Sequence, residues 1–208
     1  VYWCPHDQTA LAEAEIEYQD DPCTTIFVKF PVRDDKGKLG QFCDLSRLFF
    51  VIWTTTPWTI PGNMAICVNP EFDYVLLQVP GGEVYILAAG LAEKVCQAAG
   101  IDYAACTALA TLKGSELELM TAKHPLFDRD SVVLCGGHVT LDAGTGCVHT
   151  APGFGADDFN ICKQYDAAGL TDIGTPVPVN AKGVMTDERY DGQFYAKGND
   201  LVVADLEA

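Results

Sequence analysis

Short apolar segments, each bounded by turn-forming residues, make up most of the chain. Some alternate apolar and polar positions with a period of two, as residues 9–20 do, and others, such as 47–55, are almost entirely apolar. Alternation is typical of a half-buried strand, and a short uninterrupted apolar run is typical of a strand buried on both faces. These patterns predict strands within 9–20, 24–32, 47–55, 63–70, 73–80, 81–89, 114–120, 131–140 and 143–152.

Two segments have helical patterns instead. Residues 91–100 are amphipathic and end at Gly100, and residues 155–169 begin with acidic side chains and end at Gly169. Acidic residues favour the first turn of a helix, and glycine favours the position just after its end. The proline-rich segment 174–186 is predicted to be irregular.

The order of these elements indicates the fold class. Most predicted strands follow one another in hairpins, and only two helices interrupt them. We therefore predict a mixed α+β, β-rich fold, an antiparallel or mixed β-barrel with peripheral helices, and not a doubly wound parallel sheet.

Composition indicates the class of protein and its cellular location. The chain has 208 residues, 49% of them hydrophobic and 20% charged, which suits a globular protein. No apolar run approaches the roughly 20 residues that a membrane-spanning helix needs. Nine cysteines are scattered along the chain, mostly in apolar surroundings, so we expect free thiols, no disulfide framework and a cytoplasmic location.

The net charge is strongly negative, at −16. Proteins that bind nucleic acids usually carry a basic stripe, whereas the thirteen basic residues here are dispersed. By itself, the charge therefore argues against a nucleic-acid partner.

Several catalytic and ligand-binding motifs are missing from the sequence. There is no G-x-S-x-G nucleophile motif, no phosphate-binding P-loop motif and no zinc deaminase motif. Cys4 and His6 lie close together, but no second pair of ligands follows, so we expect no metal site.

A glycine-rich segment, GTGCVHTAPGFGADDF (144–159), joins a predicted strand that carries His149 to the second predicted helix. Glycines before a helix usually favour an anion at its N-terminus. Here Asp157 and Asp158 occupy that end, so a cation such as an ammonium group is the better ligand. Local features alone favour the alternative, in which Asp157 caps the helix and Asp158 complements its dipole.

A second unusual segment, FFVIWTTTPWTIPGN (49–63), ends an apolar strand with Thr54, Thr55 and Thr56. Threonine favours strands, so a strand end with a turn at Pro57 would explain the triplet without any function. The role of His149 is also open at this point, because an isolated histidine on a strand is more often structural than catalytic.

Together, WTTTPWTIPGN and GTGCVHTAPGFGADDF resemble the two characteristic segments of the editing domain of isoleucyl-tRNA synthetase. This domain, connective polypeptide 1, is an insertion in a class I aminoacyl-tRNA synthetase, and its fold is shared with the valyl and leucyl enzymes. The similarity extends to WCPHDQTALAEAEIEY, LDAGTG and KGNDLVV, and so covers nearly the whole chain. It implies one editing domain over 1–208, with an initial strand or linker segment over 1–22 and the barrel core over 23–200.

The resemblance also implies a reaction and its residues. The expected activity is hydrolysis of the ester that joins valine, or a similarly small amino acid, to the isoleucine tRNA, within an isoleucine–tRNA ligase. The implied catalytic residues are Thr54, Thr55, Thr56 and Asp158, of which Asp158 holds the α-ammonium group. The implied substrate-binding residues are Trp53, Thr54, Thr55, Thr56, Trp58, Asn63, His149 and Asp158.

The implied partners are the 3′ end of the aminoacylated isoleucine tRNA and the rest of the parent synthetase, with no membrane and with the chain as a monomer. No metal or cofactor is expected in this domain, since ATP and magnesium belong to the synthetic domain. Because other parts of the synthetase grip the tRNA, the negative charge does not exclude an RNA substrate. The alternative function is a catalytically weak module that binds the tRNA 3′ end. Only Phe154, where relatives commonly have histidine, favours it, and we expect Phe154 to be a packing residue.

Overall fold

The computed structural model describes residues 2–19 and 23–208. The strands are β1 (Trp3–Cys4), β2 (Thr9–Ala10), β3 (Ile26–Asp34), β4 (Leu48–Thr54), β5 (Ala65–Val68), β6 (Asp73–Gln78), β7 (Val84–Ala88), β8 (Thr107–Lys113), β9 (Thr121–Lys123), β10 (Asp130–Cys135) and β11 (Val148–Thr150). The α-helices are α1 (Ala92–Ala98), α2 (Ala156–Ala167) and α3 (Tyr195–Glu207). None of the helices in the described ranges is long and apolar enough to cross a membrane.

Nine of the strands form one mixed sheet in the order β11-β5-β10-β9-β3-β4-β7-β6-β8. Most neighbours are antiparallel, but β10 pairs with β5, and β4 with β7, in parallel. The predicted mixed α+β, β-rich class is thus confirmed.

The sheet is open, so the predicted closed barrel is not found. Within the described residues no ladder joins the end strands β11 and β8. Closing a barrel requires those two strands to pair. The three residues of β11 offer little edge for this, and β8 pairs only with β6 and leaves most of its side chains exposed or half-exposed.

The core lies on the central strands. Leu48, Phe50 and Ile52 of β4 have no exposed surface, and neighbouring positions are also mostly buried. The strand is thus confirmed, but the opposite face, with Phe49 and Trp53 half-buried, is less completely covered than predicted. Helix α2 packs through Ile161, Cys162 and Tyr165 onto a second apolar cluster beside β5 and β10, which places its first turn near β11.

Most predicted elements are confirmed, but two predicted strands are wrong, and the strands β1, β8 and β9 were not predicted. In place of a strand over 9–20, the described residues give only β2 and a 3₁₀ helix, Glu13–Glu15, where the Glu15 carboxylate accepts a hydrogen bond of 2.7 Å from the Ala12 N–H. Asp20 lies outside the described residues. This segment is mostly exposed, so no buried face holds its alternating residues in a strand.

The second wrong prediction is the strand over 114–120. Gly114–Glu116 is a 3₁₀ helix, closed by a hydrogen bond of 2.8 Å from the Lys113 N–H to the Glu116 carboxylate. The strands β8 and β9 lie on either side of it. Helix α3 was also missed, because Gly198 in its first turn weakens the helical pattern.

Candidate active site

A cavity of about 340 Å³ lies where the end of β4, the strand β11 and the first turn of α2 meet. It brings together the two segments that the sequence singled out, although they are far apart along the chain. The lining residues are Trp53, Thr54, Thr56, Trp58, Thr59, Val148, His149, Ala151, Phe154, Gly155 and Asp158. Six of the eight predicted site residues are among them, whereas Thr55 and Asn63 are not.

Thr54 and Thr56 form one side of the cavity, which we call the threonine wall. Their position follows from how β4 ends. After Thr54 the backbone turns, and the Thr56 N–H donates a hydrogen bond of 3.1 Å to Thr54 Oγ1. The two hydroxyl oxygens then lie 3.3 Å apart, while Thr55 between them does not line the cavity. Pro57 begins a 3₁₀ helix, Pro57–Gly62, and so stops the strand.

Thr59 is a lining residue that the sequence prediction missed. Its hydroxyl donates to the Thr56 carbonyl at 2.8 Å and lies 3.5 Å from the Thr56 hydroxyl. In a 3₁₀ helix, residues three apart share a face. That three-residue spacing was the available signal, but the two prolines of the segment obscured it.

The ring of His149 is held at both nitrogens. Asn63 Nδ2 lies 2.7 Å from Nδ1, and Thr59 Oγ1 lies 3.0 Å from Nε2. An amide nitrogen only donates, so Nδ1 accepts and Nε2 carries the proton. Since Thr59 uses its own proton on the Thr56 carbonyl, it accepts the one from Nε2. The network therefore assigns the Nε2–H tautomer to His149.

Asn63 lies beneath the cavity and does not line it. It has no exposed surface, and its amide also donates to the Ala65 carbonyl at 2.9 Å and accepts from the Ser131 hydroxyl at 2.6 Å. The structure thus shows Asn63 in a contact that orients His149.

Burial lowers the pKa of His149 to about 4. The imidazole is therefore neutral at pH 7, and both of its nitrogens are already engaged. A ring in this state orients its neighbours but has no free lone pair with which to accept a proton from water.

Asp158 enters the cavity from the first turn of α2. Its Oδ2 accepts a hydrogen bond of 2.8 Å from the Ala151 N–H. Burial raises the pKa of this carboxyl above its usual value, and the Ala151 hydrogen bond opposes that effect. The residue at the helix N-cap is Gly155, and no side chain caps the helix, so Asp157 does not have the capping role considered above.

A smaller cavity of about 190 Å³ lies beside the first and shares the Trp53 wall. Phe27 and Lys94 line it, together with Asp142 on the loop before β11. Gly144 has a positive φ of 76°, and a side chain there would contact the Trp53 ring at 3.5 Å. Trp53 thus separates the larger cavity from a smaller one lined by aromatic and charged groups.

No activated thiol lies at the site. All nine cysteines are free, and burial raises the pKa of both Cys67 and Cys162 to about 12. In the part of the chain that the structure describes, no three His, Cys, Asp or Glu side chains are grouped to hold a metal ion.

Comparison with curated proteins gives close matches along almost the whole chain. It is 53% identical over 210 residues to the isoleucine–tRNA ligase of Caldanaerobacter subterraneus subsp. tengcongensis. The aligned region covers 99% of the chain and 22% of that enzyme. The chain is 50% identical to the isoleucine–tRNA ligase of Lactobacillus acidophilus, over 100% of the chain and 21% of the enzyme. No family model matches.

The chain is a relative of one segment of the isoleucine–tRNA ligases. It spans about a fifth of the length of the curated relatives it matches. The resemblance found in the sequence is thereby confirmed, and the chain corresponds to part of a larger synthetase.

Solved structures show that the fold of the chain is a known one. GlLeuRS-CP1 matches it with a TM-score of 0.68 at 20% identity, over 88% of the chain and 96% of that structure. The editing domain of the P. knowlesi cytosolic leucyl-tRNA synthetase matches with a TM-score of 0.67 at 16% identity, over 88% of the chain and 93% of that structure. At these identities the likeness shows the fold alone.

Proposed function

We propose that the chain is an editing domain that hydrolyses the ester between valine, or a similarly small amino acid, and the 3′-terminal adenosine of the isoleucine tRNA. One observation carries the proposal: the Asp158 carboxylate and the hydroxyls of Thr54 and Thr56 share a small cavity with apolar walls. A carboxylate for an ammonium group, hydroxyls for an ester and a water, and an apolar wall for a short side chain are the groups this substrate needs.

In this proposal Asp158 binds the α-ammonium group and so orients the ester. The ion pair is favourable because the carboxylate is partly desolvated. The hydroxyls of Thr54 and Thr56 hold the ester or the attacking water, and His149, as a neutral donor to Thr59, keeps the Thr56 carbonyl in place. The reaction needs no covalent intermediate with the protein.

The smaller cavity is the proposed site of the terminal nucleoside. Trp53 and Phe27 offer aromatic faces to a base, and Asp142 offers an acceptor to an exocyclic amino group. Because Trp53 borders both cavities, an amino acid and the nucleoside joined to it can occupy the two at once.

The proposed partners are the remainder of the parent synthetase and the 3′ end of its tRNA, with the chain as a monomer. A domain with a net charge of −16 binds RNA weakly by itself, so the remainder of the enzyme supplies that affinity. The proposal assigns no metal or cofactor to this domain and places the enzyme in the cytoplasm, in keeping with its free thiols.

A deacylation assay with valyl- and isoleucyl-tRNA tests the function. We expect the 208-residue chain to hydrolyse valyl-tRNA with a high KM, to spare isoleucyl-tRNA, and to keep its activity in a chelator. Asp158→Ala should abolish hydrolysis while the chain stays folded. If valyl-tRNA stays intact even at high protein concentration, the chain is not a hydrolase, and the alternative of a module that only binds the tRNA 3′ end gains support.

A further inference from the structure

Phe154 forms part of the wall of the larger cavity. Its ring meets the Trp58 ring edge to face, with centroids 4.9 Å apart and an interplanar angle of 74°. The Phe154 N–H donates to the Ala151 carbonyl at 2.9 Å, so the loop before α2 holds the residue in position. The side chain itself makes no hydrogen bond, and its role in the cavity is therefore one of shape.

The Phe154 ring occupies the space beside Gly62. A Cβ atom at Gly62 would lie 2.5 Å from Cε2 and 3.1 Å from Cδ2 of Phe154. A contact of 2.5 Å is essentially never made by a real Cβ atom, so a larger residue at 62 requires the ring to shift. Since the φ of Gly62 is not positive, the need for glycine here is one of space and not of backbone conformation.

Trp58, on the other side, is held by its own contacts. The backbone N–H of Trp58 donates a hydrogen bond of 3.0 Å to Asn199 Oδ1, and the indole ring packs against the Tyr195 ring with centroids 5.1 Å apart. Phe154 is thus confined between Gly62 and an indole that α3 keeps in place. A ring confined in this way cannot easily move aside for a larger ligand, because adding volume to a closely packed site is destabilising.

We propose that Phe154, seated against Gly62 and Trp58, is a specificity-determining residue whose ring reduces the space for the amino-acid side chain in the larger cavity and so favours valine over isoleucine. The inference rests on the proposed editing function and deepens it. Phe154 acts by occupying volume, so its loss affects the choice between amino acids more than the hydrolytic chemistry.

The direct test is Phe154→Ala, assayed with valyl- and isoleucyl-tRNA. Binding of non-hydrolysable amide analogues of valyl- and isoleucyl-adenosine is measured in parallel. The preference for valine should fall about tenfold in both measurements, within the range that one methylene group contributes, for which isoleucyl-tRNA synthetases are themselves the usual example. The control is Phe159→Ala, which removes the same ring from a position on α2 that is 38% exposed and outside the cavity.

A second variant tests the contact with Gly62. Gly62→Ala should weaken binding of the valyl analogue while Phe154 is present, and the double variant with Phe154→Ala should recover it, because the methyl group then enters the vacated space. The recovery would show that position 62 acts on the cavity through the Phe154 ring, and a double variant that binds the valyl analogue no better than Gly62→Ala would contradict that contact.

The outcomes separate the two proposals. If the wild-type chain binds the analogues but hydrolyses neither ester, the editing function fails and the binding preference still decides the role of Phe154. If Phe154→Ala leaves the preference unchanged, or changes it no more than Phe159→Ala does, Phe154 is a packing residue and the inference is wrong. A wild-type chain that binds neither analogue would overturn both.

Discussion

Asn63 Nδ2 donates a hydrogen bond of 2.7 Å to His149 Nδ1 and thereby sets the tautomer of the imidazole. The proton on Nε2 then points to Thr59, whose hydroxyl donates onward to the Thr56 carbonyl. The buried Asn63 amide thus acts through His149 and Thr59 on the Thr56 backbone. His149 is a positioning residue in this arrangement, and no proton transfer is assigned to it.

The tautomer can be observed directly. We expect ¹⁵N NMR of the imidazole at pH 7 to show a protonated Nε2 and an unprotonated Nδ1 for His149. Asn63→Ala removes the donor to Nδ1, so the signals should move toward a mixture of the two tautomers. A protonated Nδ1 in the wild-type chain would contradict the assigned network.

Asn63→Ala should also lower the free energy of unfolding by about 1–3 kcal/mol, because it leaves buried polar groups without partners. The groups affected are the Ala65 carbonyl, the Ser131 hydroxyl and His149 Nδ1. Ser131→Ala is the matched control: it removes one bond to the same amide and leaves the His149 contact intact. Urea titrations of both variants should show the larger loss for Asn63→Ala.

The lowered pKa of His149 predicts a pH dependence of stability. The unfolded chain binds a proton near pH 6.5, whereas the buried ring does so only near pH 4. The contribution of His149 is therefore fully present above pH 6.5 and is lost as the pH falls towards about 4. His149→Gln cannot titrate there, so its stability deficit relative to wild type should shrink on acidification. Unfolding free energies measured from pH 7.5 to 4 check this, and a constant deficit would rule it out.

The strand-rich fold and the two site segments were predictable, because both depend on residues that are neighbours along the chain. The strand β4 is an example: residues 48–53 form an uninterrupted apolar run, and Leu48, Phe50 and Ile52 within it are fully buried. For Asp158, local sequence raised a cation-binding role but favoured a helix-dipole role, and only the resemblance to the editing domain decided between them.

Features that depend on contacts between distant segments were not predictable. Asn63 has the same sequence context whether it faces the substrate or His149, and only the packing of β10, which supplies Ser131, decides between them. Closure of the sheet likewise depends on how far β11 extends, which no local pattern specifies. The helix α3 was hidden by Gly198, which is needed because a Cβ there would lie 2.5 Å from the Met185 sulfur.

The position of the threonines predicts that they differ in importance. Thr56 lines the cavity and Thr55 does not. Thr56→Ala should lower hydrolysis of valyl-tRNA by about 10²-fold, as loss of one hydroxyl from a transition-state contact does, and should raise the relative rate with isoleucyl-tRNA by enlarging the cavity. Thr55→Ala is the matched control and should stay near the wild-type rate. Equal losses in the two variants would mean that the triplet acts as a backbone element and not through the Thr56 side chain.

Asp158 should reduce the stability of the chain at neutral pH. Burial raises its pKa, so as the pH rises from the ordinary aspartate value the unfolded chain loses its proton first, and the folded state becomes relatively less stable until Asp158 also ionises.

Asp158→Asn removes this cost and keeps an oxygen that accepts from the Ala151 N–H. The variant should therefore match wild type near pH 3 and exceed it in melting temperature at pH 7, while losing hydrolysis of valyl-tRNA. Asp157→Asn, next to it in the first turn of α2, is the control for loss of a negative charge near the helix N-terminus, and it should be slightly less stable than wild type. If Asp158→Asn melted below wild type at pH 7, the carboxylate would be a stabilising helix residue and not a desolvated group held for a cationic substrate.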